Sequence, residues 1–194
     1  MFAAAVTSSR KVEKQMAKND QEEMYEKLMA TNLARTVDFI KFAETKNAAL
    51  LTFCSAWMLG IASLLSSGKA IPLFVDSGFR LSFIFFALGA CVAITSFLPR
   101  LSLRQGVRTP NVKSMLYFGD IATLPANSFA AEARQRYMPP DGHSITEAYV
   151  TELSDQISVN SRIALRKMRL FNWGARSVLL AVFMLISPAV GQIL

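Results

Sequence analysis

The chain has 194 residues, of which 52% are hydrophobic and 18% charged, with a formal net charge of +7; its mean hydropathy is +0.31. A soluble domain typically carries about 25% charged residues, so this balance excludes a disordered chain, a disulfide scaffold and a collagen-like fibre, and it weighs against an ordinary cytosolic enzyme. A positive surplus suits a nucleic acid or a membrane surface, and the positions of the basic residues decide between them.

Residues 1–19 read as a flexible N-terminus. The opening MFAAAVTSS holds too short an apolar run for a signal peptide, so the first span is expected to act as its own insertion signal. From Asp20 onward no Gly or Pro occurs until Gly60. Asp20 and Glu23 form a D-x-x-E start signal. Leu33, Val37, Ile40 and Leu51 fall near one stripe, interrupted by Glu44 and Asn47. One helix from about Asp20 to Leu65 is therefore predicted, about 70 Å long at 1.5 Å per residue, against a bilayer core of ~30 Å. Within it, Asn47 to Gly68 carries no charge over 22 residues. An outer loop over 69–80 leads to Leu81–Pro99, uncharged over 19 residues. Both blocks have the length of a membrane span, so 20–98 reads as a long helix with the first span, a loop and the second span.

Residues 99–143 read as a connector with short helices. Pro99 to Arg108 is basic, Met115-Leu116-Tyr117-Phe118 starts a short apolar element, and Pro125-Ala126-Asn127-Ser128 caps a helix to about Tyr137. Pro139-Pro140-Asp141-Gly142 is a turn signal. Over 144–194, Ser144-Ile145-Thr146-Glu147 is an S-x-x-E capping box. Val150, Leu153, Ile157, Asn160, Ala164, Met168 and Phe171 then repeat at helical spacing. This predicts a second long helix entering the bilayer near Arg176. Ser177–Leu194 is uncharged over 18 residues but carries Pro188, which makes it the weakest of the three spans. The fold class is an all-α membrane protein with two or three spans and a helical cytoplasmic region.

Nineteen of the 21 basic residues lie in 1–46 and 100–176. Lys and Arg stay on the cytoplasmic side of membrane proteins, which predicts a cytoplasmic N-terminus and a cytoplasmic 100–170 region. Seven and six acidic residues share those two stretches, so they are mixed-charge surfaces and no nucleic-acid polymer is expected as a partner.

Catalytic chemistry is sparse. One His (His143) stands beside a turn Gly, and the two cysteines (Cys54, Cys91) sit inside apolar spans as expected buried thiols. No phosphate loop, nucleophile elbow or H-E-x-x-H motif occurs, and no carboxylate lies within a span, where an ion relay would need one. No enzyme, no catalytic residue, no metal site and no cofactor is expected.

Three polar features remain. Glu44, Lys46 and Asn47 form a polar cluster at the membrane boundary, read either as a ligand-sensing or helix-tilting element or as an interfacial anchor with Lys46 snorkelling. Asn160 on the last helix reads either as a register-fixing buried amide or as a ligand contact. Arg162, Arg166, Arg169 and Arg176 share one face of the last helix, suited to anionic lipid or to an anionic small ligand or partner. Ala56-x-x-x-Gly60 and Gly89-x-x-x-Ala93 are small pairs that let helices approach closely.

The order of these parts resembles a known family. Val37-Asp38-Phe39-Ile40-Lys41-Phe42-Ala43-Glu44-Thr45-Lys46-Asn47-Ala48 resembles the I-x-x-A-D-x-K-A block of the Pycsar transmembrane effectors, PycTM. Tyr117-Phe118-Gly119-Asp120-Ile121-Ala122 is similar to the family's Y-F-G-x-I-A block, and Asp155 to Phe171 to its Q-I-x-x-x-S-x-I-x-x-x-K-x-x-x-L helix. Glu44 stands where the family usually has Asp, and Asn47 where a small residue is usual. The resemblance covers roughly 30–185. It implies a bacterial antiphage effector that responds to a cyclic pyrimidine mononucleotide, cUMP or cCMP, from a partner cyclase. It further implies damage to the inner membrane and abortive infection. A cyclic mononucleotide presents one phosphate and one flat base, so Arg, amide and aromatic groups suit it: Arg162, Arg166, Asn160, Tyr117, Phe118 and Tyr137. Three apolar spans cannot line a wet pore alone, so a homo-oligomer contacting membrane lipids is expected. The alternatives are another nucleotide-signalled two-span effector and a non-enzymatic membrane adaptor.

Overall fold

The computed structural model describes residues 2–68, 72–98, 113–125 and 127–190. They form five helices: α1 (Phe2–Leu65), α2 (Leu73–Phe97), α3 (Phe118–Ile121), α4 (Phe129–Tyr137) and α5 (Glu147–Val190), with no strand among the described residues. The basic connector Pro99–Arg108 and the end of the third apolar block, 191–194, lie outside the described residues. The chain divides into two compact units, 1–37 with 101–161 and 38–100 with 162–194.

Two helix starts differ from the expected ones. α1 begins at Phe2, ahead of Asp20. The segment before Asp20 is rich in Lys, Glu, Gln, Met and Ala, all strong helix formers, so Asp20 and Glu23 sit inside the helix and cap nothing. The stretch read as a flexible N-terminus is thus helical from Phe2. α5 begins at Glu147, and its first turn is capped by Thr146, whose Oγ1 accepts from the Tyr149 amide at 3.3 Å. Ser144 cannot complete the expected capping box because its own amide donates to Glu22 Oε2 at 2.9 Å.

In the first unit the loop before α5 is held by α1. Gln15 Nε2 donates to the Gly142 carbonyl, and Glu22 Oε1 lies 3.2 Å from His143 Nδ1. Among the described residues, Leu153 and Met115 are its buried apolar side chains. Around them lies a buried polar knot. The Tyr137 hydroxyl donates to Glu152 Oε2 at 2.5 Å and accepts from the Met115 amide at 3.1 Å. Arg136 reaches Glu152 Oε1 at 2.5 Å and donates to the Lys113 carbonyl at 2.9 Å. These bonds tie residues 113–115, α4 and α5 together.

In the second unit, α2 and the adjoining parts of α1 and α5 surround a core of Leu50, Cys54, Ile61, Phe86, Ala90, Ala93 and Ala181. Small residues set the approach. A Cβ on Gly89 would meet Cys54 Sγ at 3.2 Å and the Gly174 carbonyl at 3.4 Å. Gly89-x-x-x-Ala93 therefore lies on the packed seam, whereas Gly60 has nothing within 4 Å. Ser82 Oγ donates to the Ala181 carbonyl at 2.9 Å, satisfying a hydroxyl that hydrocarbon would leave unpaired. Cys54 is buried as expected, but Cys91 is exposed, because it turns away from the Gly89, Ala90 and Ala93 side of α2. Arg80, expected in the outer loop, lies on α2 and pairs with Asp76 at 2.8 Å.

Three helices are long and apolar enough to cross a membrane by length and composition. Their outward residues are large and apolar, among them Phe53, Leu59, Leu88, Leu179 and Phe183. In water such faces mark contact surfaces; in a bilayer they are the ordinary exterior. The protein is an all-α membrane protein.

Candidate functional site: a polar junction among the spans

Glu44 and Asn47, the two breaks in the α1 stripe, both turn towards α5. Asn47 is fully buried, at 0% exposure. Its Nδ2 donates to the Ala43 carbonyl at 2.8 Å and to the Lys167 carbonyl at 3.3 Å. Its Oδ1 is buried and has no hydrogen-bond partner among the described residues.

Lys167 is the centre of the junction. Its ammonium pairs with Glu44 Oε1 at 3.0 Å and donates to the Ser96 carbonyl at 2.8 Å. Ser96 lies in the last turn of α2, where carbonyls have no intrahelical donor and the helix dipole presents its negative end. The lysine thus caps α2 while pairing with α1, and its own backbone receives Asn47. Its side chain is only 12% exposed, against 45% for Glu44. Nζ also lies 5.9 Å from the Phe97 ring centre.

Lys46 takes a different role from its two neighbours. Its ammonium lies 4.5 Å from the Phe42 ring centre and 5.1 Å from that of Phe171, the aromatic-supported arrangement expected of a boundary cation. The proposed cluster of Glu44, Lys46 and Asn47 is therefore two elements: a junction pair, Glu44 and Asn47, and an aromatic-bound cation. Lys167 and Ser96 complete the junction and were not singled out by residue pattern. Glu44 and Lys167 do fall in two of the blocks that carry the family resemblance, and their opposite charges were the available signal.

The residues suited to a nucleotide are distributed over both units. In the first, Tyr117 and Phe118 place their ring centres 4.7 Å apart; Tyr117 is half-buried and Phe118 is 74% exposed. The Tyr117 ring packs over Gly119, where a Cβ would require the ring to shift. Asn160 is half-buried. Tyr137 belongs to the polar knot, where burial first and then the Glu152 carboxylate push its hydroxyl pKa up to about 12. In the second unit Arg162 is exposed and Arg166 half-buried. An open groove of about 510 Å³ runs along α1, lined by Lys14, Gln15, Ala17, Lys18 and Gln21. Among the described residues no group of three or more His, Cys, Asp or Glu could hold a metal ion.

Three apolar helices joined by a lysine-centred junction define an all-α membrane protein with a buried polar node. The family description "Pycsar effector protein domain", PycTM, matches residues 28–193. The Pycsar effector protein RsPycTM of Rhizobium sp. (strain PP-F2F-G36) is 38% identical over 162 residues, covering 84% of this chain and 93% of that protein. No solved structure matches the chain. The chain belongs to the Pycsar effector PycTM family, which places it among antiphage defence effectors. Glu44, Asn47, Ser96 and Lys167 all lie inside the matched residues, and the groove along Lys14–Gln21 lies outside them.

Proposed function

We propose that this chain is a gated membrane effector. It responds to a cyclic pyrimidine mononucleotide, cUMP or cCMP, made by a partner cyclase on infection, and then impairs the integrity of the bacterial inner membrane. Its N-terminus and the 100–170 region are cytoplasmic, it acts as a homo-oligomer, and it performs no catalysis. The host cell stops growing before phage mature.

The observation that carries the gated mechanism is Lys167, which ties α1, α2 and α5 at one buried point. A node with few alternatives in a close-packed bundle has discrete arrangements, and a ligand acts by favouring one of them. Tyr117, Phe118 and Asn160 are residue types that suit a base and Arg162 and Arg166 types that suit a phosphate, which keeps them as candidates for alanine substitution in the binding test. The apolar exterior of the spans suits lipid and is compatible with association of several copies.

The test has two arms. Binding of cUMP and cCMP to the detergent-purified chain reports the signal. Uptake of a membrane-impermeant dye, with and without the cyclase, reports the output. Binding of neither nucleotide removes the signal, and dye uptake that ignores the cyclase removes the gating. Unchanged permeability in every condition, despite good expression, would identify an adaptor.

A further inference from the structure

The geometry points to a binding face for anionic phospholipid on α5, formed by Arg162, Arg169, Trp173 and Arg176. From Arg162 to the end of α5 the helix holds no Asp or Glu. Arg162, Arg169 and Arg176 recur every seven residues, and Trp173 sits three or four residues from the last two, so all four share one helix face. All four are exposed, Trp173 at 61%. The Arg176 guanidinium carbon lies 5.2 Å from the Trp173 ring centre, which holds the cation beside an amphipathic ring of the kind that settles at headgroup level.

The neighbouring Lys167 is taken by Glu44. Among the described residues Arg162, Arg169 and Arg176 form no ion pair, so the charge of this face is left for an external anion. The shape of the face selects the anion. The arginines extend over roughly 21 Å of helix at 1.5 Å per residue, so the discrimination comes from what adjoins them. Beyond Arg176 the same face continues into the exposed apolar side chains Leu180 and Phe183. A cationic stretch followed by an apolar one matches an anionic headgroup followed by its acyl chain, whereas a free nucleotide has no use for the apolar part. Juxtamembrane arginines gain from anionic lipid in this way. Arg162 is shared with the proposed phosphate contact, whereas Arg169, Trp173 and Arg176 are not offered to the nucleotide, so the face requires only insertion of the chain.

The test uses the full chain with Trp57→Phe, which leaves Trp173 as the sole tryptophan of the two in the sequence. It is reconstituted in phosphatidylcholine vesicles containing a fixed fraction of phosphatidylglycerol, with bromine on the acyl chains of one lipid or the other. Brominated phosphatidylglycerol is expected to quench Trp173 as if enriched about fivefold or more around it, the equivalent of the attraction of one juxtamembrane Arg for anionic lipid. Arg162→Gln with Arg169→Gln and Arg176→Gln is expected to abolish the enrichment while quenching by brominated phosphatidylcholine persists, which shows that the variant is inserted. The corresponding triple lysine variant is expected to keep most of it. Equal quenching by both lipids in the unsubstituted arginine face would overturn the proposal. So would enrichment that survives the triple glutamine change. Loss of enrichment on adding millimolar inorganic phosphate or cUMP at constant ionic strength would instead identify a soluble-anion site, and would also overturn it.

Discussion

The Lys167 ammonium on α5 stands 3.0 Å from the Glu44 carboxylate on α1 and 2.8 Å from the Ser96 carbonyl near the end of α2. One side chain thereby holds an ion pair and a helix C-cap at once. The two bonds differ in weight. Glu44 is 45% exposed, so its pairing is screened, while the carbonyl has no other helical donor.

Lys167→Met is therefore expected to lower the stability of the detergent-solubilised protein by about 1–3 kcal/mol, the loss of a charged hydrogen bond from a partly buried carbonyl. Glu44→Gln is expected to cost about 0–1 kcal/mol, as for an exposed pair. Thermal melts followed by helix circular dichroism measure both. Equal losses would mean that the ion pair, and not the cap, holds the junction.

Asn47→Ala removes two donated hydrogen bonds from a fully buried position and is expected to cost about 1–3 kcal/mol. Asn47→Asp is expected to cost more, because it replaces the donor with a charge facing the Ala43 and Lys167 carbonyls. The same melts decide, and an aspartate variant as stable as the parent contradicts the arrangement.

Gly89 and Gly60 separate a packed helix face from a bare one. Gly89→Leu places a side chain against Cys54 and the Gly174 carbonyl and is expected to destabilise by about 1–3 kcal/mol, as overpacking does. Gly60→Leu meets open space and is expected to be neutral or slightly stabilising through helix propensity. The comparison is read from melting temperatures in one detergent.

Two titrations report on the first unit. Tyr137, with a pKa pushed up to about 12 from an ordinary 10.0, is raised on folding. Its contribution is complete below the ordinary value and is lost as pH climbs towards about 12. Tyr137→Phe is expected to remove that alkaline step. Glu22 is shifted the other way, held down first by the Ser144 amide and then by His143 and Lys18. Its contribution is complete above the ordinary carboxylate range and is lost as pH falls through it. The protection factor of the Ser144 amide, corrected for the intrinsic slowing of exchange in acid, is expected to fall on acidification, and Glu22→Gln to remove that dependence.

Much of the fold is legible in residue order. The run without Gly or Pro from Asp20 to Gly60 and the periodic stripe after Val150 are enough to predict two helices longer than a bilayer is thick. Helix starts are less legible, because a cap is a competition. Thr146 caps α5, while the Ser144 amide donates to Glu22, far away in sequence. Ala56-x-x-x-Gly60 and Gly89-x-x-x-Ala93 look alike as patterns, and only packing shows that the second is used. The junction illustrates the same limit. Glu44 and Asn47 stand out as polar breaks in an apolar stripe, but Lys167 is one cation among several on α5 until the fold brings it to Ser96.

The most direct test of the gated-effector reading is dye uptake in cells carrying the chain with its partner cyclase, measured before and after phage addition. Entry of dye after infection is predicted only when chain and active cyclase are both present, and before phage release. Dye entry that is the same with an inactivated cyclase, or absent despite rising cyclic nucleotide, would contradict it.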